Sequence, residues 1–142
     1  MTTCVFCSGD GGELVWHDER LRVVLPAEAD YPGFTRVVWR AHVVEMTDLP
    51  STDRDRLMAV VWRVEAAQRE ALAPDKINLA SFGNVTPHLH WHVIPRWRDD
   101  RHFPEPVWGA PARGRDAAVE ARRAAVRALL APYRDTLRRL LG

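Results

Sequence analysis

Three histidines alternate along one stretch, Pro87-His88-Leu89-His90-Trp91-His92-Val93-Ile94-Pro95-Arg96. In an extended strand, side chains two apart share a face, so His88, His90 and His92 project together and Leu89, Trp91 and Val93 project oppositely. The apolar set can enter a core while the imidazoles stand in a row at roughly 6–7 Å spacing. Three of the chain's six histidines fall in this register, which argues against an incidental surface histidine. A neutral imidazole is a good nucleophile toward phosphorus, and an unperturbed pKa near ~6.5 leaves it mostly unprotonated at neutral pH. One ring can attack while its neighbour holds phosphate oxygens or protonates the leaving group. The same row suits two other uses: His-x-His ligation of a catalytic metal, or pH sensing.

Cys4 and Cys7 are the only cysteines. A disulfide across so short a loop is a poor staple, because the constraint grows with loop length. In a reducing compartment the pair reads as a metal clip or a redox couple. A redox couple needs a helix N-terminus to lower a thiol pKa, and Ser8-Gly9-Asp10-Gly11-Gly12 is a poor helix start. A closed tetrahedral zinc site needs two more ligands, for which His42 and His88 are candidates. Two reduced cysteines at a partly ordered N-terminus is the remaining alternative.

The elements that position these residues follow from pattern. Val-, Leu- and Trp-rich stretches at 13–18, 21–25, 34–39, 77–82 and 89–94 read as strands, with Pro32-Gly33 as a turn. Ser51-Thr52-Asp53 offers N-cap oxygens, and Leu57, Val60, Val61, Val64, Ala67, Ala71 and Leu72 keep helical spacing until Pro74. Residues 96–114 read as an ordered, irregular loop. Residues 116–142 read as helical, broken or restarted by Pro132, with Val126, Leu130, Tyr133, Leu137 and Leu141 forming a packed stripe. The expectation is an α+β domain: an antiparallel sheet with one long helix between strands.

A chain of 142 residues is about one domain. A net charge of +1 gives no reason to expect nucleic acid as a partner. No apolar run reaches the ~18 residues that span a bilayer, and the N-terminus lacks the features of a secretory signal. A cytoplasmic protein with no membrane association is expected.

The triad segment resembles the motif of the histidine-triad (HIT) family, His-φ-His-φ-His-φ-φ with φ apolar, followed as usual there by Pro95-Arg96. The resemblance extends more loosely from Cys4 to about Gly109, with Pro32-Gly33 and Trp39-Arg40-Ala41-His42 at matching places. It implies a HIT-like fold with a five-stranded sheet over 1–112 and a helical extension over 113–142. It implies a nucleotide-type hydrolase or nucleotidyltransferase that cleaves a P–N, P–O or phosphoanhydride bond. In that reading His90 resembles the nucleophile that forms a covalent nucleotidyl-histidine, and His92 the residue that contacts phosphate and leaving group. Asn84, Thr86 and Arg96 complete the candidate phosphate- and nucleotide-binding set. A zinc-bearing subset of the family joins an N-terminal Cys pair to two histidines, and Cys4, Cys7, His42 and His88 match it. Such a closed site is structural, since no position is left for water. No organic cofactor is implied, and a homodimer is.

The pattern also departs from the family. Pro26 stands where relatives usually carry a ribose-holding Asp or Asn, with Glu28 or Asp30 as substitutes. Phe34 stands where a His is common, and Val85 where a Ser or Thr binds phosphate. These departures leave open a regulatory nucleotide-binding module with little turnover, and a metal-dependent hydrolase using the triad as ligands. Arg96, Arg98 and Arg101 with Trp97 and Phe103 could line an anionic planar ligand; a solvated loop packing its aromatics on the body is the plainer expectation. His17 and His102 read as surface residues.

Overall fold

The computed structural model describes residues 3–142. Its strands are β1 (Glu13–His17), β2 (Leu21–Leu25), β3 (Thr35–Trp39), β4 (Lys76–Ala80) and β5 (His90–Arg96). They form one antiparallel sheet in the order β1-β2-β3-β5-β4. The helices are α1 (Val5–Ser8), α2 (Ser51–Leu72), α3 (Ala117–Ala128) and α4 (Leu130–Leu141). The α+β class, the five strands and the long helix between β3 and β4 are those expected.

Element ends differ in instructive ways. β5 begins at His90 rather than Leu89 and runs to Arg96. His88 therefore lies just before the strand, free to aim its ring differently from the other two. The α2 N-cap is Pro50, with no side-chain cap, so Ser51 is already helical. At the other end Ala73 turns left-handed (φ 47°) and Pro74 blocks continuation. A single helical turn, α1, precedes the glycine stretch, with Cys4 as its N-cap.

The sheet's two faces have different fates. Strand alternation sends Leu21, Val23, Leu25, Val37, Trp39 and Val93 to one side. There they meet Leu57, Val60, Val61, Val64 and Ala67 of α2. The C-terminal extension joins this same core through Tyr133, Leu137 and Leu141, which are 0–6% exposed. Pro132 sits in the first turn of α4, where its missing N–H breaks no helical bond; the break falls at Leu129. The opposite face carries two small clusters, Phe6 with Val24 and Val38, and Tyr31 with Phe34 and Ile94. The N-terminal segment is held over this face by Arg22, which donates to the carbonyls of Phe6, Gly9 and Asp10. Among the described residues no helix is long and apolar enough to cross a membrane.

Candidate functional site

β5 lies between β3 and β4, so its outward residues sit in the middle of the sheet rather than at an edge. His90 and His92 are 7% and 6% exposed, their ring centroids 4.9 Å apart and nearly perpendicular. Phe6 packs on His90 at 4.7 Å, and Phe34 and Trp108 pack on His92 at 5.3 and 5.0 Å. Both histidines, Phe6 and Trp108 line an open cleft of about 520 Å³ together with Arg36, Phe82, Asn84 and Thr86.

Hydrogen bonding decides what each imidazole can do. Nδ1 of His90 lies 2.6 Å from the carbonyl oxygen of His88. A carbonyl only accepts, so the proton is on Nδ1 and the lone pair is on Nε2. Burial holds His90 below its ordinary pKa; its bond to the His88 carbonyl opposes this, and Arg36 and His88 add to it. His92 is pushed down to about 3, first by burial and then by His90 and Arg36. Both rings are therefore neutral at pH 7. Nδ1 of His92 is buried without a hydrogen-bond partner, a polar atom that a ligand can satisfy.

His88 takes a different part. It is fully buried, and its Nε2–H donates to the carbonyl of Trp39 at 2.6 Å. Its Nδ1 is thereby left unprotonated and faces Cys4 Sγ at 3.3 Å and Cys7 Sγ at 3.5 Å. Nδ1 of His42 lies 3.4 Å from Cys7 Sγ. The four ligand atoms fall within 4.8 Å of one another. Zinc bonds of ~2.3 Å to sulfur and ~2.0–2.1 Å to nitrogen place tetrahedral N···S edges near ~3.5 Å, so the residues fit that ion. The Trp39 carbonyl supplies the outer partner that metal-bound histidines use. Cys4 is the N-cap of α1, so its sulfur sits near the backbone N–H groups of Phe6 and Cys7 without a capping hydrogen bond. Burial acts to raise the Cys4 thiol pKa, yet the nearby N–H groups bring it below the ordinary value and favour the thiolate a metal requires.

The other expected residues divide. Asn84 and Thr86 line the cleft, and Val85 between them is 96% exposed. Arg96 is not brought to the cleft as a free cation. Although it shares the histidines' face, it is 1% exposed and its fork is spent on Asp100, Asn78 and the carbonyl of Glu105. Trp97 is buried, and Arg101 pairs with Asp30, so the basic aromatic wall does not form there. His102 is not a surface residue: it is 7% exposed and bonds Tyr31 Oη through Nδ1 at 2.6 Å. Its burial follows from Asp100, which gathers the backbone N–H groups of Trp97, His102 and Phe103. His17 is exposed.

Two cleft residues had no sequence signal of their own. Trp108 arrives from the irregular loop. Arg36 arrives because its Cα pairs with His92 across β3 and β5. Alternation in Phe34-Thr35-Arg36-Val37-Val38 puts Arg36 on one face with Phe34, but only the pairing shows that this is the histidines' face.

The fold and the sequence both have known relatives. A histidine triad protein from Bradyrhizobium japonicum superposes with a TM-score of 0.65 and 32% identity, over 84% of this chain and 91% of that one. A zinc-bound histidine triad family protein from Mycobacterium smegmatis superposes at 0.59 with 28% identity, over 92% and 97%. In sequence, the AP-4-A phosphorylase of Mycobacterium tuberculosis is 28% identical over 102 residues, covering 68% of this chain and 52% of that protein. The family model described as the HIT domain matches residues 11–99, and the chain belongs to that family.

Proposed function

We propose that this protein cleaves a nucleotide-type P–N, P–O or phosphoanhydride bond through a covalent nucleotidyl-His90 intermediate. The observation that carries the reading is the His90 Nδ1–H donated to the His88 carbonyl, which leaves Nε2 as a lone pair in the cleft. In the first step Nε2 bonds to phosphorus and the bond from phosphorus to the leaving group breaks. In the second, water bonds to phosphorus, the N–P bond breaks and imidazole is regenerated. The net reaction adds water across the original bond. Neutral His92 orients phosphate oxygens and the leaving group, with Asn84 and Thr86 lining the cleft. Similarity to an AP-4-A phosphorylase supports nucleoside phosphates as the substrate class.

The zinc clip in this proposal is Cys4, Cys7, His42 and His88, structural rather than catalytic. It ties the N-terminus to the residues before β5, in a protein of the reducing cytoplasm. A homodimer is proposed as well, on the family resemblance. Leu79 on the edge strand β4 and Trp62 on α2 remain 37% and 55% exposed, which is compatible with such an interface. Sedimentation analysis tests it.

The deciding experiment incubates the zinc-replete protein with nucleoside phosphoramidates and dinucleoside polyphosphates, quenches in base and maps adducts by mass spectrometry. A nucleotidyl adduct on His90, absent in His90→Gln with fold and zinc content retained, is expected. Full turnover in that variant overturns the mechanism. The replaced positions Pro26 and Val85 favour a second reading, a nucleotide-binding module; micromolar binding without turnover or adduct would select it. Loss of a stoichiometric metal on mutation of His90 and His92 would instead select the metal-dependent hydrolase.

A further inference from the structure

Among the described residues Arg36 has no carboxylate at ion-pair distance, and Glu28 acts on its charge only from further away. Its guanidinium carbon lies 5.4 Å from the Phe6 ring centre and 6.0 Å from that of Phe34, so two aromatic faces hold its plane. One nitrogen, Nη1, donates to the carbonyl of Gly11 at 3.0 Å. Nε is buried with no hydrogen-bond partner among the described residues. Arg96 and Arg101 are neutralised by Asp100 and Asp30, and Arg22, which has no ion pair among the described residues, spends its fork on three backbone carbonyls, whereas Arg36 has one. A half-buried guanidinium that has given up water and gained one neutral carbonyl is costly unless something else completes it.

The position of that missing partner is defined by the sheet. Arg36 lies opposite His92, borders the same cleft as His90 and His92, and acts electrostatically on both rings. The cleft thus places a guanidinium, always charged in proteins, beside the two imidazoles. An arginine fork both donates to phosphate oxygens and balances their charge.

We propose that Arg36 binds the non-bridging oxygens of the phosphoryl group that His90 attacks, supplying a fixed positive charge beside the triad. The inference rests on the nucleotide reading above and deepens it, because it names the residue that selects an anionic phosphoryl ester over the corresponding neutral nucleoside. Held between Phe6 and Phe34, the guanidinium is pre-positioned and loses little freedom on binding. It also faces charge that grows on these oxygens as Nε2 approaches phosphorus.

The test uses the full chain with zinc: wild type, Arg36→Met and Arg36→Lys, each titrated calorimetrically with 5′-AMP and with adenosine. Circular dichroism and melting of each variant report the fold. The expected result is a loss of about 10–100-fold in AMP affinity for Arg36→Met, the size of a charge-assisted hydrogen bond. Adenosine affinity should change less than about twofold, and Arg36→Lys should restore part of the AMP preference. The variant should also slow formation of the His90 adduct. If Arg36→Met retains the wild-type ratio of AMP to adenosine affinity, the inference is overturned, and Arg36 serves only to pin Gly11; AMP binding would then still support the nucleotide reading. If wild type binds neither AMP nor adenosine and forms no adduct, the nucleotide reading fails and the inference falls with it. Should Arg36→Met not fold, Arg36→Gln replaces it and is judged by the same ratio.

Discussion

The backbone carbonyl of His88 accepts the Nδ1–H of His90 at 2.6 Å, while Nδ1 of the His88 ring faces Cys4 and Cys7. One residue therefore sets the tautomer of the proposed nucleophile and belongs to the Cys4, Cys7, His42 and His88 cluster proposed to hold zinc. A metal on the ring would fix the peptide whose carbonyl orients His90. Chelation is expected to lower the melting temperature and also to reduce turnover, by roughly 10–100-fold as for outer partners of metal sites. Added zinc should restore both. Metal analysis, thermal melts and turnover before and after chelation check this; full activity in metal-free protein would uncouple the two roles.

Arg96 and Asp100 form a buried two-bond pair, 2.9 and 3.1 Å, with side chains 2% and 4% exposed. Replacing Asp100 by Asn leaves the guanidinium charged and under-partnered. Unfolding free energy in urea should fall by about 3–5 kcal/mol. Because Arg96 is spent on this pair, KM for a nucleotide substrate should stay within about twofold where the variant remains folded. A large rise in KM with unchanged stability would restore Arg96 to the binding set.

His92 couples stability to pH. Free histidine titrates near 6.5, and folded His92 near 3. Between those values the unfolded chain binds a proton that the folded chain refuses, so stability is full above about pH 6.5 and falls as pH drops toward 3. The contribution to the slope is at most about 1.4 kcal/mol per pH unit. Urea midpoints of wild type and His92→Asn, compared from pH 7 to pH 4.5, should show a shallower acid loss in the variant. Equal slopes would show that His92 is not the group responsible.

The C-terminal helix is part of the core. Leu137 is fully buried among residues of α2 and the sheet. Leu137→Ala should cost about 2–5 kcal/mol in urea unfolding, and truncation after Ala128 should yield an unfolded or aggregating chain. A truncated protein with native melting behaviour would make α4 a separable appendage.

Ala73 ends α2 in a left-handed conformation, φ 47°. Glycine adopts that geometry without the Cβ penalty, at some entropic cost in the unfolded chain. Ala73→Gly should raise stability by about 0.5–1 kcal/mol, read as a higher melting temperature. A lower one would mean that the methyl group packs usefully.

The histidine register was legible because it is local. A period of two along one strand depends only on backbone geometry, so His90 and His92 could be assigned a common face before any fold was known. The same holds for the α2 stripe from Leu57 to Leu72 and for the stripe that brings Tyr133 and Leu137 into the core. The Cys4–Cys7 pair carried its own chemistry, but its joining to His42 and His88 was an expectation from family resemblance.

What the chain order could not show was which side chains meet across strands. Arg36 and Arg96 illustrate it. Both are arginines on strands facing the same side, and composition does not separate them. Arg96 finds Asp100 after the chain turns and is consumed; Arg36 lies beside His92 because β3 pairs with β5, and among the described residues no carboxylate forms an ion pair with it. His102 was hidden for the same reason, since Tyr31 reaches it from 71 residues away. Periodicity assigns a face to a residue, whereas a partner is assigned by strand order and loop closure. Those depend on packing summed over the whole domain rather than on any local stretch.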